Sequence, residues 1–248
     1  MTVNLNELSA SLILLDIEGT TTPIDFVYKT LFPFAHARVK EYLSRNWDEP
    51  ETRANIAQLR AERSADASQG LNPPMIEDDS SAERVESAVA YIHWLMDRDR
   101  KSTPLKAIQG KIWQEGYQAG NLFSEVFEDV PPAFMRWRRQ NKLICIYSSG
   151  SALAQMLLFA NTAAGDLTDC IYRYFDTTVG HKIEAESYQR IARELRLVPA
   201  DMIFISDAIA ELDAARAAGM KTILAIRPGN RLVELPVSHP AVDSFAAL

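Results

Sequence analysis

Cysteine is nearly missing from this 248-residue chain: Cys145 and Cys170 are the only two, each inside an apolar run. Neither belongs to a C-x-x-C pair or to a set with zinc-ligand spacing, which argues against a disulfide framework and a thiolate metal site. Both are expected to be plain buried thiols in a reducing compartment. Positive charge is also in deficit, with Lys+Arg 26 against Asp+Glu 33 and a formal net charge of -7. Such a field does not attract polyanions, so nucleic acid is not an expected partner, and an anionic ligand must be caught by a local positive feature. No apolar stretch reaches the roughly 20 residues that span a bilayer, and Met1–Ala10 lacks the basic region and small-residue cleavage site of a secretion signal. The expectation is a soluble cytoplasmic protein with no membrane partner. What is present is an ordinary 47% hydrophobic content, enough for a real core in one large domain or two small ones.

The apolar residues fall into short continuous runs that end in polar or turn chemistry. Leu12–Leu15 ends at Asp16 and a Gly-Thr-Thr-Thr-Pro stretch; Leu143–Tyr147 ends at Ser148; Met202–Ile205 ends near Asp207; Thr222–Ile226 ends before Arg227-Pro228-Gly229. Runs of this length read as strands buried on both faces, as in a parallel sheet. Helix-period segments lie between the later ones, Ala152–Asn161, Ala185–Leu195 and Ile209–Ala218, the last stopped by Gly219. Strand then helix, repeated, predicts an α/β fold with a doubly wound, mostly parallel sheet, in which ligands sit beyond the carboxyl ends of the strands.

Residues 26–130 differ. They hold no buried-strand pattern but four amphipathic stretches, Tyr28–Trp47, Glu51–Ala65, Ala82–Arg98 and Leu105–Tyr117. Breaks are expected at Asp48-Glu49-Pro50, at Ser64–Pro74 and at Pro131-Pro132, with Ser64–Ser81 polar enough for a mobile loop. The predicted organisation is a catalytic core of residues 1–25 plus 131–248 and an inserted helical cap of residues 26–130.

Four strand-end segments carry chemistry. Asp16 and Glu18 place two carboxylates at the tip of the first strand, able to serve as nucleophile and general acid or to bind a hard cation; alone, the pair is also what solvated acids before a turn look like. Ser148, Ser149, Gly150 and Ser151 open a helix, where hydroxyls and free N–H groups cradle a phosphate, although Ser149 or Ser151 can equally be a simple N-cap. Lys182 precedes a helix and can neutralise phosphate oxygens, and His181 beside it has no assigned role. Asp207 can complete a carboxylate set with Asp16, while Glu211, one helical turn on, can hold metal-bound water or brace Lys182. Glu211 and Asp213 also suit a helix first turn on charge alone.

In this order, the segments resemble the four motifs of the haloacid dehalogenase-like hydrolases: Asp16 with Glu18, Ser148, Lys182, and Asp207. Asp16-Ile17-Glu18-Gly19-Thr20, Trp113-Gln114-Glu115-Gly116-Tyr117, Asp129-Val130-Pro131-Pro132, Tyr147 to Ser151 and Gly180-His181-Lys182 are similar to the enolase-phosphatase (acireductone synthase) branch. Glu rather than Asp at position 18 fits that branch, since an enolate leaving group needs less help from a proton donor.

The resemblance implies Mg2+ held by Asp16, the Glu18 carbonyl and Asp207. Asp16 is implied as nucleophile, with Ser148, Ser149, Gly150 and Lys182 on the phosphoryl group and Glu211 behind them. The implied small-molecule substrate is 2,3-diketo-5-methylthiopentyl-1-phosphate, and the implied state is a monomer. Glu18, Lys182 and Glu115 are open candidates for the enolisation base. Phe26, Tyr28, Trp94, Trp113 and Tyr117 are candidates for the methylthio tail, the last two foremost. Rival readings are another magnesium-dependent sugar phosphatase, a dehalogenase, which needs no metal, and a phospho-accepting signalling receiver, which lacks a helical insertion of ~100 residues.

Overall fold

The computed structural model describes residues 10–231 and 238–248; all of Met1–Ala10 except Ala10 therefore lies outside the described residues. The chain forms two compact units, one of Met1–Val27 with Phe123–Leu248 and one of Tyr28–Leu122.

The first unit is built on six parallel strands in the order β3-β2-β1-β4-β5-β6. They are β1 (Leu12–Leu15), β2 (Leu143–Tyr147), β3 (Arg173–Phe175), β4 (Met202–Ser206), β5 (Lys221–Ala225) and β6 (Ala241–Val242). Successive strand residues point to opposite faces. Leu12 and Leu14 thus join Tyr147, Phe204, Tyr188, Ile191 and Leu212 in one core layer. Ile13 and Leu15, equally buried, face the other way. Sinking each of these side chains contributes about 1.5–3 kcal/mol, and covering both faces of β1 makes it the centre of the sheet. Its neighbours are in register, Leu12 beside both Leu143 and Met202. From β1 the chain winds one way to β2 and β3, then the other way to β4, β5 and β6. The switch point lies between β1 and β4, and it brings Asp16 and Asp207, each just beyond its strand, to one sheet edge.

The helices of this unit are α1 (Ile24–Phe26), α6 (Val130–Arg139), α7 (Ala152–Ala160), α8 (Ala185–Leu195) and α9 (Ile209–Ala217). Among the described residues no helix is long and apolar enough to cross a membrane. Both cysteines are buried and free.

The second unit holds α2 (Phe32–Asn46), α3 (Pro50–Ser68), α4 (Arg84–Met96) and α5 (Thr103–Gln118), led in by a π-helical turn over Val27–Leu31. Pro50 and Pro104 sit in first turns, where their missing N–H costs nothing, and Ser102 caps α5 by accepting from Leu105 N at 3.3 Å. α2 packs on α4 and α5, and α3 on α5. Gly116 of α5 lies directly against the Phe34 ring, so any side chain there would push the helices apart. Buried Asp66 is satisfied by Tyr91 Oη at 2.9 Å and Arg100 Nη2 at 2.7 Å.

Several boundaries differ from those the sequence predicts. Phe26, Val27 and residues 123–130 cluster with the sheet unit: Phe127 N donates to Thr21 O at 3.0 Å. Pro131-Pro132 does not break the chain but starts α6, again as first-turn prolines. α3 runs through the expected break to Ser68, with Ser64 Oγ turned back onto the Arg60 carbonyl within the helix at 2.9 Å. The chain after it is tied down by Arg60 Nη2 to Glu77 O at 2.5 Å and Arg63 Nε to Pro74 O at 3.2 Å.

Candidate active site

Asp16 is only 5% exposed. Its N–H donates to Ile205 O at 3.0 Å, which fixes the end of β1 to β4. Beyond it the chain coils back tightly: Ile17 O accepts from the N–H groups of Thr20, Thr21 and Thr22, and Gly19 N donates to Thr22 O at 2.8 Å. Gly19 has φ +70, and a β-carbon there would fall 2.5 Å from Asp207 Oδ2 and 2.8 Å from Asn230 Oδ1. Only glycine meets both demands. Thr21 Oγ1 closes the turn by donating to Asp16 O at 3.2 Å.

Lys182 Nζ lies 2.6 Å from Asp16 Oδ1 and 2.6 Å from Glu211 Oε2, with its side chain 9% exposed. Three hydroxyls hold the loop that presents it, each donating to one of three successive carbonyls. Tyr147 Oη reaches Gly180 O at 2.9 Å, Ser187 Oγ reaches His181 O at 2.8 Å, and Tyr188 Oη reaches Lys182 O at 2.6 Å. His181 is therefore held through its backbone while its side chain is exposed. Burial alone would depress the Lys182 pKa, but the Asp16 and Glu211 carboxylates outweigh it, so the ammonium is held charged.

The acids outnumber that one cation. Asp207 is pushed up to about 7, first by burial and then by Asp16 and Glu211. Glu211 is also raised to about 7, by burial and by Asp16, against the pull of Lys182. Ser206 Oγ lies 2.9 Å from Glu211 Oε2 and 3.4 Å from Asp16 Oδ2. With one proton to give, it serves Glu211 better.

Ser148, 4% exposed, directly follows β2. Its Oγ accepts from Gly150 N at 3.2 Å, which leaves its own proton for a ligand and commits the Gly150 N–H that the sequence pattern offers to phosphate. Ser151, not Ser149, caps α7, accepting from Ala154 N at 3.3 Å. Another donor at that helix start, Ala152 N, is taken by Asp176 Oδ2 at 3.1 Å.

No group of three or more His, Cys, Asp or Glu side chains is arranged to hold a metal ion among the described residues. A hydrated magnesium ion asks for less: Mg2+ takes one or two carboxylates and keeps several waters. Asp16 and Asp207 on neighbouring strand ends, a side-chain-free Gly19 against Asp207 and an excess of acidic groups fit such an ion. All the donors are oxygen, as a hard cation prefers.

Sequence reasoning missed the residues that hold the others in place. Tyr147, Ser187 and Tyr188 look like core or surface positions, and no local pattern marks a hydroxyl aimed at a distant carbonyl. Arg227 reads in the sequence only as the end of a strand run. It is buried between the rings of Phe127 and Phe245, 4.7 and 4.3 Å from their centroids. Its Nε donates to Thr20 O at 3.1 Å and its Nη1 to Asp129 Oδ2 at 2.7 Å. Asp129 also accepts from Ser244 Oγ and Phe245 N, and its pKa is lowered: burial opposes the shift, but these hydrogen bonds and the Arg227 charge prevail.

In the helical unit, Trp113 is 8% exposed, and its Nε1 donates to Leu31 O at 2.9 Å. Tyr117 is 7% exposed and Trp94 stacks on Tyr91. Glu115 Oε2 is ion-paired with Arg45 Nη2 at 2.5 Å. Tyr28 is 49% exposed, whereas Phe26, in the sheet unit, is fully buried.

Residues 10–219 match the haloacid dehalogenase-like hydrolase family. The chain is 48% identical over 227 residues to the enolase-phosphatase E1 of Synechococcus elongatus, covering 92% of this chain and 93% of that one. It is 42% identical over 251 residues to the enolase-phosphatase E1 of Drosophila mojavensis, covering 98% and 97%. Its fold superposes on the crystal structure of the UTR4 protein of Saccharomyces cerevisiae with a TM-score of 0.79 at 32% identity, covering 96% of this chain and 100% of that one. With this fold, this site geometry and identities of that order over nearly its whole length, the chain belongs to the haloacid dehalogenase-like hydrolases and, within them, to the enolase-phosphatase E1 family.

Proposed function

We propose that this chain is a bifunctional enolase-phosphatase, converting 2,3-diketo-5-methylthiopentyl-1-phosphate to the acireductone 1,2-dihydroxy-3-keto-5-methylthiopentene and phosphate in methionine salvage, as a cytoplasmic monomer. The observation that carries the reading is the buried Lys182 ammonium shared by Asp16 and Glu211 at 2.6 Å each, beside Asp207 at the switch point of the sheet. An anion-binding cation pinned against a carboxylate is what an acidic nucleophile needs to accept a phosphate ester without repelling it.

Asp16 is the nucleophile. Its Oδ1 is occupied by Ile17 N–H at 2.7 Å and by Lys182, whereas among the described residues Oδ2 has only the long contact from Ser206, so Oδ2 is assigned to form the bond to phosphorus as the phosphorus bond to the substrate's bridging oxygen breaks and the enolate departs. The resulting aspartyl-phosphate is then hydrolysed by water. Lys182 and the Ser148 hydroxyl bind the phosphoryl oxygens, with Ser149 beside them. Gly150 contributes indirectly, since its N–H orients Ser148 Oγ. Magnesium, when held by Asp16, the Glu18 carbonyl and Asp207, supplies charge neutralisation at phosphorus and polarisation of the substrate carbonyls.

For the enolisation step, an ammonium held charged by two carboxylates is a poor base, which sets Lys182 aside. Glu115 is engaged with Arg45. Glu18 and Glu115 remain the two candidate bases, and the helical unit is assigned as the family's inserted cap.

Phosphate release from the diketo phosphate, measured beside a panel of sugar phosphates, tests the assignment. Asp16→Asn is expected to reduce phosphate release at least about 1,000-fold with the urea unfolding midpoint retained, as removal of a covalent nucleophile does. Near-normal turnover by that variant, or a preference for a sugar phosphate, would refute it.

A further inference from the structure

Asn230 follows β5 on the Arg227-Pro228-Gly229 turn and has no part in the phosphoryl chemistry. Its carboxamide is oriented by its surroundings: Nδ2 donates to Gly19 O at 2.8 Å and, at longer range, to Ala225 O at 3.4 Å. Two carbonyls can be served only by the amide nitrogen, so the oxygen must point the other way. That oxygen, Oδ1, is buried and has no hydrogen-bond donor among the described residues. An orphaned buried acceptor of this kind destabilises the fold unless something donates to it.

Its position shows what the donor is. Oδ1 and the Asp207 carboxylate converge on the same bare face of Gly19, 2.8 and 2.5 Å from where a β-carbon would stand. Two oxygens facing one small space, one of them a carboxylate, suit a species that brings both positive charge and O–H donors. A hydrated divalent cation does so: Mg2+ dehydrates reluctantly and keeps several waters when one or two carboxylates bind it. Such waters are strong donors because the ion polarises them.

We infer that Asn230 is a positioning residue for the cation, its Oδ1 accepting a hydrogen bond from the hydration shell of the ion held by Asp16 and Asp207 while its Nδ2 fixes Gly19. The inference rests on the reading of this site as a magnesium site. It assigns to a single carboxamide both the shape of the loop after the nucleophile and the outer boundary of the metal shell. It also accounts for a side chain on an otherwise ordinary turn that bonds a carbonyl more than two hundred positions away in the chain.

Calorimetric titration of the purified, chelator-treated full-length protein with magnesium chloride alone, without substrate, tests it. Removing an outer-shell partner typically weakens metal binding about 10–100-fold. Asn230→Ala is therefore expected to raise the magnesium Kd at least about tenfold. Asn230→Asp keeps an oxygen at the Oδ1 position but exchanges the Gly19 tether for a negative charge beside the site, so its Kd should rise no more than about threefold above the parent's. Asp207→Ala is the control and should abolish binding.

If the alanine and aspartate variants weaken binding equally, the residue acts only as a tether, and the inference is overturned. The same holds if Asn230→Ala binds magnesium like the parent while Asp207→Ala does not. Undiminished binding by Asp207→Ala would instead overturn the magnesium reading of the site. Should Asn230→Ala fail to fold, the aspartate variant decides alone: a Kd more than about tenfold weaker refutes the inference.

Discussion

Asp207 is a residue whose removal should make the metal-free protein more stable. Its carboxyl is raised from 3.8 to about 7 by burial and by the nearby Asp16 and Glu211. The folded state therefore holds a proton that the unfolded chain gives up. Between roughly pH 4 and 7 the native state binds more protons than the unfolded one, so stability falls as pH rises through that window and stays reduced above it. Every pH unit that separates folded from unfolded titration is worth about 1.36 kcal/mol, so the ionised side chain costs the fold up to about 4 kcal/mol near pH 8.

Asp207→Asn keeps the shape and removes the charge. In chelator, its urea unfolding free energy is expected to exceed the parent's by about 2–4 kcal/mol near pH 8, by less than about 2 near pH 5, and by almost nothing near pH 3. Magnesium should then stabilise the parent by mass action and leave the variant unchanged. A variant no more stable than the parent near pH 8, or a gain that does not shrink on acidification, would refute the reasoning.

Tyr188→Phe removes the hydroxyl on Lys182 O. It should cost about 1–2 kcal/mol in urea unfolding and lower kcat/KM for phosphate release roughly tenfold through a lysine no longer held at Asp16. Gly19→Ala must put a methyl group against Asp207 Oδ2 at a backbone conformation of φ +70; a stability loss of roughly 1–2 kcal/mol should accompany weakened magnesium binding by calorimetry. Arg227→Met leaves the buried Asp129 carboxylate without its cation, and a loss of about 3–5 kcal/mol in chemical denaturation is expected.

The strands that carry chemistry were legible because each combines an unbroken apolar run with an abrupt polar end. A buried parallel strand needs apolar side chains on both faces, whereas the loop beyond it turns to polar and turn-forming residues. β3 and β6 escaped notice: Arg173–Phe175 and Ala241–Val242 are edge pieces of three and two residues, too short to show any period. The prolines of the Asp129-Val130-Pro131-Pro132 stretch misled for a definite reason, since the same residue that ends a helix interior is welcome in its first turn. The acids, the serine and the lysine were visible one by one because their residue types are chemical. Tyr147, Ser187, Tyr188, Asn230 and Arg227 were not, because their contribution lies in where they point, which only the folded chain defines.

The strap that Arg227 draws between Thr20, Asp129 and Asp243 ties the geometry of the first loop to the tail of the polypeptide. Positions 243 to 245 contribute no member of the candidate site, yet their backbone and the Phe245 ring form part of the anvil on which that loop is shaped. Mutational scans that score turnover alone will therefore flag this distal stretch as if it met the substrate. The pairing of a folding assay with each such hit is what separates a broken tool from a broken bench.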